Sequence, residues 1–405
     1  MANPVSARTR VLTLLGTVIT QFALGSVYTW SLFNAQLADK LSEPVSQVAF
    51  SFGILSLSLA VASSLSGKMQ ERFGIRKVTI ASGVMIGISL YLTGHATNLI
   101  MLYIFAGLLV GFADGTGYLM VLSNCVKFFP ERKGLASACA IGAYGLGALA
   151  FKYILMYLLT HTGLKITFEV WGAVCMVMVV IGGLMMTDAP KQESQSQTES
   201  VSRDFTLGEA MKHSQFWMLA AMFLTVCMSG LYVIGVAKDI GENYVHLSMA
   251  TAAAAVAIIA MGNLGGRLVL GVLSDRIARV RVISIALFTC LLGVSALLFG
   301  PATATTFYFA VACIAFCFGG TITVYPSLVS DFFGLNNLTK NYGFIYLNFG
   351  IGSFIGSVVA SLFGGFAATF YLMMGLLVVS LAISFTIKAP THQPQQLNAE
   401  PLAAN

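Results

Sequence analysis

A single arginine, Arg267, stands in the middle of the apolar run AIIAMGNLGGRLVLGVLSD, residues 257–275. Two more ionisable side chains, Asp114 in GFADGTGYLM and Lys152 in LAFKYIL, also lie within apolar stretches. A charge in such a place costs roughly 2.5–3.5 kcal/mol even on a lenient insertion scale, and it normally faces a cavity or a partner. A guanidinium offers a planar fork of N–H donors that matches a carboxylate, and an ammonium cannot copy it. Arg267 therefore marks a place where a carboxylate, of a partner side chain or of a guest, could be met. Gly262, Gly265 and Gly266 leave room beside it for a guest or a neighbouring helix. Asp114 and Lys152 are candidates for coupling. They could pair with each other, Lys152 could extend outward along its own stem, or Asp114 could carry a proton.

The elements that must hold these residues follow from composition. Of 405 residues, 57% are hydrophobic and only 9% charged, with a net charge of +6. Soluble domains carry about 25% charged residues, so the fold class is an all-α membrane protein, with lipid as its surroundings. The basic residues sit in short loops, where they set orientation rather than bind nucleic acid. A template of roughly 20 mostly apolar residues finds twelve spans, near 11–34, 46–66, 78–97, 99–124, 135–158, 167–187, 214–236, 249–273, 282–300, 305–330, 341–363 and 366–387. The third and fourth are divided only by HATN and are the hardest to separate. Arg8 and Arg10 precede a first apolar run too long for a cleaved signal, so it is expected to remain as a spanning helix.

Twelve spans place both termini on one face. That face would hold seventeen lysines and arginines, against Lys40, Lys165 and Lys238 on the other. The termini are therefore expected in the cytoplasm, and the chain in a bacterial inner membrane. Residues 1–187 make one six-helix unit, 188–213 a cytoplasmic linker with a short helix at its end, 214–388 a second six-helix unit, and 389–405 a disordered tail. Arg267 lies eight residues before Asp275, which marks the cytoplasmic end of the eighth span. That is about 12 Å deeper, near the midplane of a hydrocarbon core about 30 Å thick. The seven cysteines fall in or at the ends of apolar segments and read as small hydrophobes. With no CxxC and no Cys/His cluster, neither a disulfide framework, a metal nor a cofactor is expected. HExxH, nucleophile-elbow and P-loop motifs are absent, so an enzyme is not the reading.

The halves repeat. GKMQERFGIRK begins at Gly67 and GVLSDRIARVR at Gly271, 204 residues later; Phe128-Phe129 and Phe332-Phe333 share that offset. Gly25 and Gly230, Gly145 and Gly350, and Gly147 and Gly352 match at 205. A duplicated unit places a binding site between the halves near the midplane, with rocking of one half against the other giving alternating access. The first loop resembles the one that follows the second helix in the major facilitator superfamily. In it, Gly67 permits close backbone approach, and Glu71 with Arg72 forms a charged latch between the halves. The second copy keeps Gly271, Asp275 and Arg276 but has Ala278 where the first has Gly74.

Four stretches narrow the likeness: GSVYTWSLF in helix one, FFPERKGLASACAIGAYGLGA leading into helix five, FWML and SGLYVIG in helix seven, and GNLGGRLVLGVLSDR in helix eight. They resemble the oxalate/formate antiporter family, and within it the inducible, pyruvate-linked members of enteric bacteria. The resemblance implies a major facilitator fold of two pseudo-symmetric six-helix bundles and transport of a small organic anion, by a monomer, with protons as a possible co-substrate. Arg267 matches an arginine that clamps one carboxylate of oxalate. The position of a second clamping cation, a lysine in helix eleven, falls in YGFIYLNFGIGS, where this chain has Phe349. One fork in place of two suits a monocarboxylate such as pyruvate, lactate or formate. Tyr28, Tyr118 and Tyr144 match positions that line the family's substrate cage; Trp30, Tyr325 and Tyr346 lie at suitable depth. Drug efflux is the runner-up among transporters, but the helix-five stretch AIGAYGLGALAF lacks the proline of the drug/proton antiporter motif. A transporter-like sensor ranks lower, because the 26-residue linker carries no signalling domain.

Overall fold

The computed structural model describes residues 6–190, 204–362 and 365–390; these contain helices and connecting turns and no strand. The first crossing is α1, Ala7–Leu24, which tightens into a 3-10 segment, Gly25–Phe33, before α2, Asn34–Leu41. Next come α3, Val45–Phe73, and α4, Ile75–Gly94. Gly74 separates them at φ +78°, a left-handed-side conformation that a side chain resists. The Asn98 side chain then caps a new helix by accepting the Met101 N–H, so HATN does divide two crossings. This crossing runs as α5, Leu99–Leu102, a π-helical stretch, Tyr103–Val110, and α6, Gly111–Phe128.

The next helix, α7, spans Lys133–Met185 but breaks at Gly163, where φ is +80°. Its two arms run in opposite directions along α1. In the first arm Cys139 lies near Leu14 and Gly147 near Phe22; in the second, Gly182 lies near Gly16 and Phe168 near Trp30. The second half holds α8, Leu207–Ala210, α9, Ser214–Asp239, α10, Met249–Leu273, α11, Arg279–Phe299, α12, Ala304–Phe333, α13, Leu338–Leu362, and α14, Phe366–Thr386. Among the described residues ten stretches are long and apolar enough to cross a membrane. One of them doubles back at Gly163, and α13, packed between α3 and α9, makes the twelfth crossing.

Between the halves, α3 packs on α13, and α7 on α10 and α12. The linker's ends are anchored. Asp188 accepts the Ile75 N–H, and the Phe205 N–H donates to Phe333 O just before a capping box at Thr206 and Glu209. The expected flexible linker core, 191–203, and tail, 391–405, lie outside the described residues.

Candidate functional site

The site begins where α1 meets the first arm of α7. A Cβ on Gly25 would fall 1.9 Å from Tyr144 O, and one on Gly147 1.9 Å from Phe22 O, so only glycines allow this crossing. The contact sets Tyr28 edge-on to Tyr144, ring centroids 5.2 Å apart. Tyr144 stands edge-on to Tyr118 of α6 at 5.1 Å, and Tyr118 meets Tyr346 of α13 at 5.5 Å. Tyr346 then stacks on Phe349 at 5.1 Å with rings nearly parallel. A continuous row of rings therefore crosses from one half to the other. Tyr28 keeps 36% of its surface accessible although protein surrounds it, so it borders an internal chamber.

Arg267, 7% exposed, reaches this row from α10. Its Nε donates to Asn263 Oδ1 at 2.7 Å, one helical turn earlier, and Nη1 donates to Ile141 O of α7 at 2.6 Å. These two bonds fix the plane of the guanidinium. Nη2 makes no hydrogen bond to a described residue and still touches open space, so part of the fork remains free. Nη1 also lies 3.4 Å from where a Cβ on Gly145 would stand, so the guanidinium meets α7 next to Tyr144 of the row. Asn263 was legible as a partner, since it precedes Arg267 by four residues on the same helix; Ile141 was not.

Asp114 is fully buried and accepts the Tyr144 hydroxyl at 2.8 Å. The pairing of Asp114 with Lys152 is corrected: no ion pair joins them, and the Lys152 ammonium lies 5.9 Å from the Tyr153 ring on a half-exposed stretch of α7. An amphipathic lysine near a helix end extends toward the interface and does not cross the bundle. Trp30 and Tyr325 stand outside the row of rings. Trp30 packs on Phe33 and Phe168, and Tyr325 is buried one ring behind the cage against Phe223, its hydroxyl donating to Leu219 O. Both use their surface as packing.

The candidate gating residues gather on the face that carries the termini. Glu71 does not pair with Arg72; it pairs with Lys340 of α13 at 2.6 Å, while Arg72 lies over the Phe73 ring. Gly67 lies against Lys340. In the second copy Asp275 accepts the Gly134 and Leu135 N–H groups, each at 2.8 Å, and Gly271 packs on Ala138. Arg276 makes no ion pair among the described residues. Lys133 joins Asp331, and Lys127 donates to Asn336 O. These cross-half contacts all lie at Arg267 or between it and the terminal face, which they close. No group of His, Cys, Asp or Glu among the described residues is arranged to hold a metal.

Described residues that are helical throughout their regular elements, in two halves that meet across a buried row of aromatic rings, have the architecture of a major facilitator transporter. The chain belongs to the Major Facilitator Superfamily, whose sequence signature matches residues 13–347 and again 231–404. It is 64% identical over 346 residues to an uncharacterized MFS-type transporter, YhjX, of Escherichia coli (strain K12), covering 85% of this chain and 86% of that one. It is 26% identical over 350 residues to the oxalate:formate antiporter of Oxalobacter formigenes (84% and 79% covered), and 23% over 404 residues to monocarboxylate transporter 13 of Bos taurus (93% and 90% covered). Among solved structures it resembles FucP in the outward conformation, with a TM-score of 0.66, 12% identity and 93% and 99% of the chains covered. A bacterial homologue of ferroportin in an outward-facing state gives 0.72, 14%, and 93% and 98%. Fold and relatives are those of transporters, not of enzymes.

Proposed function

We propose that the protein moves a small, pyruvate-like monocarboxylate across the bacterial inner membrane by alternating access, with Arg267 meeting the carboxylate. The observation that carries this reading is the state of that guanidinium. Two of its nitrogens are bound to Asn263 Oδ1 and Ile141 O, and Nη2 is left free at the α7 wall that carries Tyr144. A preorganised donor in a largely apolar chamber suits an anion with a short apolar body, because tyrosine rings take the body and their hydroxyls the polar end. Two relatives whose names mention oxalate, formate or monocarboxylates support an organic anion. The excess of basic residues on the terminal face supports cytoplasmic termini.

A second reading, oxalate/formate-type exchange, is favoured by the antiporter relative. Phe349 counts against it: that side chain is buried between Tyr346 and Phe318, so the α13 wall offers a ring where a second carboxylate would need a cation. Drug/proton efflux and a sensor role rank below both, since a fixed cation suits few drugs.

The test is uptake of radiolabelled pyruvate, lactate, formate and oxalate into proteoliposomes, with and without a pH gradient. Arg267→Gln should lower monocarboxylate uptake roughly 100-fold, because removing one partner of a buried pair costs about 3 kcal/mol or more. Arg267→Lys keeps the charge but loses the fork and should still fall about 10-fold. Unchanged flux in Arg267→Gln would end the assignment.

A further inference from the structure

Asp114 has no part in the reading above. Its Oδ2 accepts the Tyr144 hydroxyl, and its Oδ1 has no hydrogen-bond partner. No cation compensates it among the described residues. On neighbouring faces α3 and α4 present Leu59, Ser63 and Ser82, and the two serine hydroxyls are committed to the carbonyls of Gly115 and Ala113. The titratable groups around it are Tyr144 and Cys175 of α7, Tyr28 of the 3-10 segment and Tyr118 of its own helix, with Tyr346 of α13 behind Tyr118. Tyr144 is thus the sole described donor to this carboxylate. It also stands in ring contact with Tyr28 and Tyr118, and it lies one turn after Ile141, whose carbonyl holds Arg267 Nη1.

Resting on the carboxylate reading, we infer that Asp114 takes up one proton when an anion binds, and that the Tyr144 hydroxyl is the switch. A phenol has one hydrogen to donate. In the empty chamber it goes to Asp114. When a carboxylate settles beside Arg267, the hydroxyl turns to it and keeps its own proton. Asp114 is then a carboxylate without a donor in a dry setting, and such a group neutralises. It binds a proton delivered from the bulk as hydronium, forming one O–H bond on the carboxylate as one O–H bond of the hydronium breaks. Charge is conserved across the step. Arg267 and Asp114 are not paired, but their formal charges sum to zero before binding; the anion adds one negative charge, and the proton restores that sum. The coupling is reciprocal, so protonation also tightens anion binding.

The experiment uses the purified full chain, lightly buffered with a pH indicator, titrated with pyruvate between pH 6 and 9. The wild type should take up close to one proton per anion bound at the alkaline end, where the empty protein holds Asp114 ionised. Its affinity should rise as pH falls and then level off. Asp114→Asn should bind pyruvate with no proton uptake and a flat pH profile. Tyr144→Phe, which leaves Asp114 in place without its donor, should also lose most of the uptake, with affinity lowered roughly 5-fold for one hydrogen bond. Pyruvate binding by the wild type without proton uptake, or uptake that persists in Asp114→Asn, overturns this inference and leaves the carboxylate reading standing. No binding of any of the four carboxylates overturns both.

Discussion

The two copies of the repeated loop do unequal work. In the second, Asp275 lies against the first turn of α7 and accepts two backbone N–H groups from the opposite half, while its side chain is only 16% exposed. Arg279 holds the same carboxylate and reaches Asp331, which also takes Lys133. In the first, Glu71 is 57% exposed and meets a flexible ammonium, Lys340, at the edge of a cleft of about 260 Å³. Carboxylates aligned by duplication thus met different acceptor surfaces. A carboxylate on the free amides of a helix start gains charge-assisted bonds and the helix dipole together. A surface ion pair gains little after screening and side-chain ordering. We propose from these contacts that closure of the terminal face is concentrated at Asp275 and that Glu71 tunes it.

The strongest way to break the comparison is to remove the Asp275 carboxylate. Two charge-assisted hydrogen bonds contribute about 3 kcal/mol together, so Asp275→Ala should shift the closed-to-open ratio of the terminal face roughly 100-fold. Ser137→Cys reports on it, because that side chain is buried and donates across the halves to Thr323 O. In a Cys139→Ala background, its maleimide labelling should speed up by a similar factor. Labelling no faster than in the parent would show that closure resides elsewhere.

A smaller effect is expected from the glycines that let each copy approach its partner. A Cβ on Gly134 would come within 2.2 Å of Ser274 Oγ and 2.4 Å of Gly271 O, and the second of these is backbone and cannot step aside. A Cβ on Gly67 would meet Lys340 Cγ at 3.0 Å and the backbone of Lys340 and Thr339 at 3.2 and 3.3 Å, contacts that a shift of a few tenths of an ångström relieves. Gly134→Ala should wedge the face open by about 1–2 kcal/mol, and Gly67→Ala by less than about 0.5 kcal/mol, on the usual scale of overpacking. The same cysteine labelling ranks the two, and equal effects would contradict the asymmetry.

The sequence made legible what depends on one segment at a time. Apolar run length gave the crossings, and the break at HATN is a side-chain cap within four residues. Arg267 stood out because a lone guanidinium in an apolar run is too costly to keep without a cavity or a partner to meet it. Features that depend on two segments meeting were hidden. Nothing local marks Tyr144 as the partner of Asp114, thirty residues away on another helix, or Lys340 as the partner of Glu71 in the other half. Adjacent in the chain, Glu71 and Arg72 read as acting together as a latch, but neighbouring residues on a helix point to different sides, and Glu71 is the one that meets Lys340. Trp30 and Tyr28 lie two residues apart in the 3-10 segment, so one borders the chamber while the other packs into the bundle. Ala278, in place of Gly74, stays at φ −53°, a conformation any residue accepts, so its loop never needed the glycine.

The smallest effect sharpens the comparison most. Glu71→Gln keeps the shape of the side chain and removes its charge, so only the ion pair with Lys340 is lost. For a carboxylate this exposed the loss is within about 1 kcal/mol, less than about 5-fold in the open-to-closed ratio. High salt should reproduce it in the parent, because exposed charges are screened over a few ångströms at 1 M. Salt should barely affect the Asp275 contact, whose acceptor atoms are sheltered against α7. Labelling of Ser137→Cys at low and high salt, in the parent, in Glu71→Gln and in Asp275→Ala, therefore separates the two latches. Glu71→Gln should reduce the salt response to what the Lys133–Asp331 pair contributes, and Asp275→Ala should leave it intact on a raised baseline. A salt response that survives undiminished in Glu71→Gln and vanishes in Asp275→Ala would reverse the assignment of the two copies.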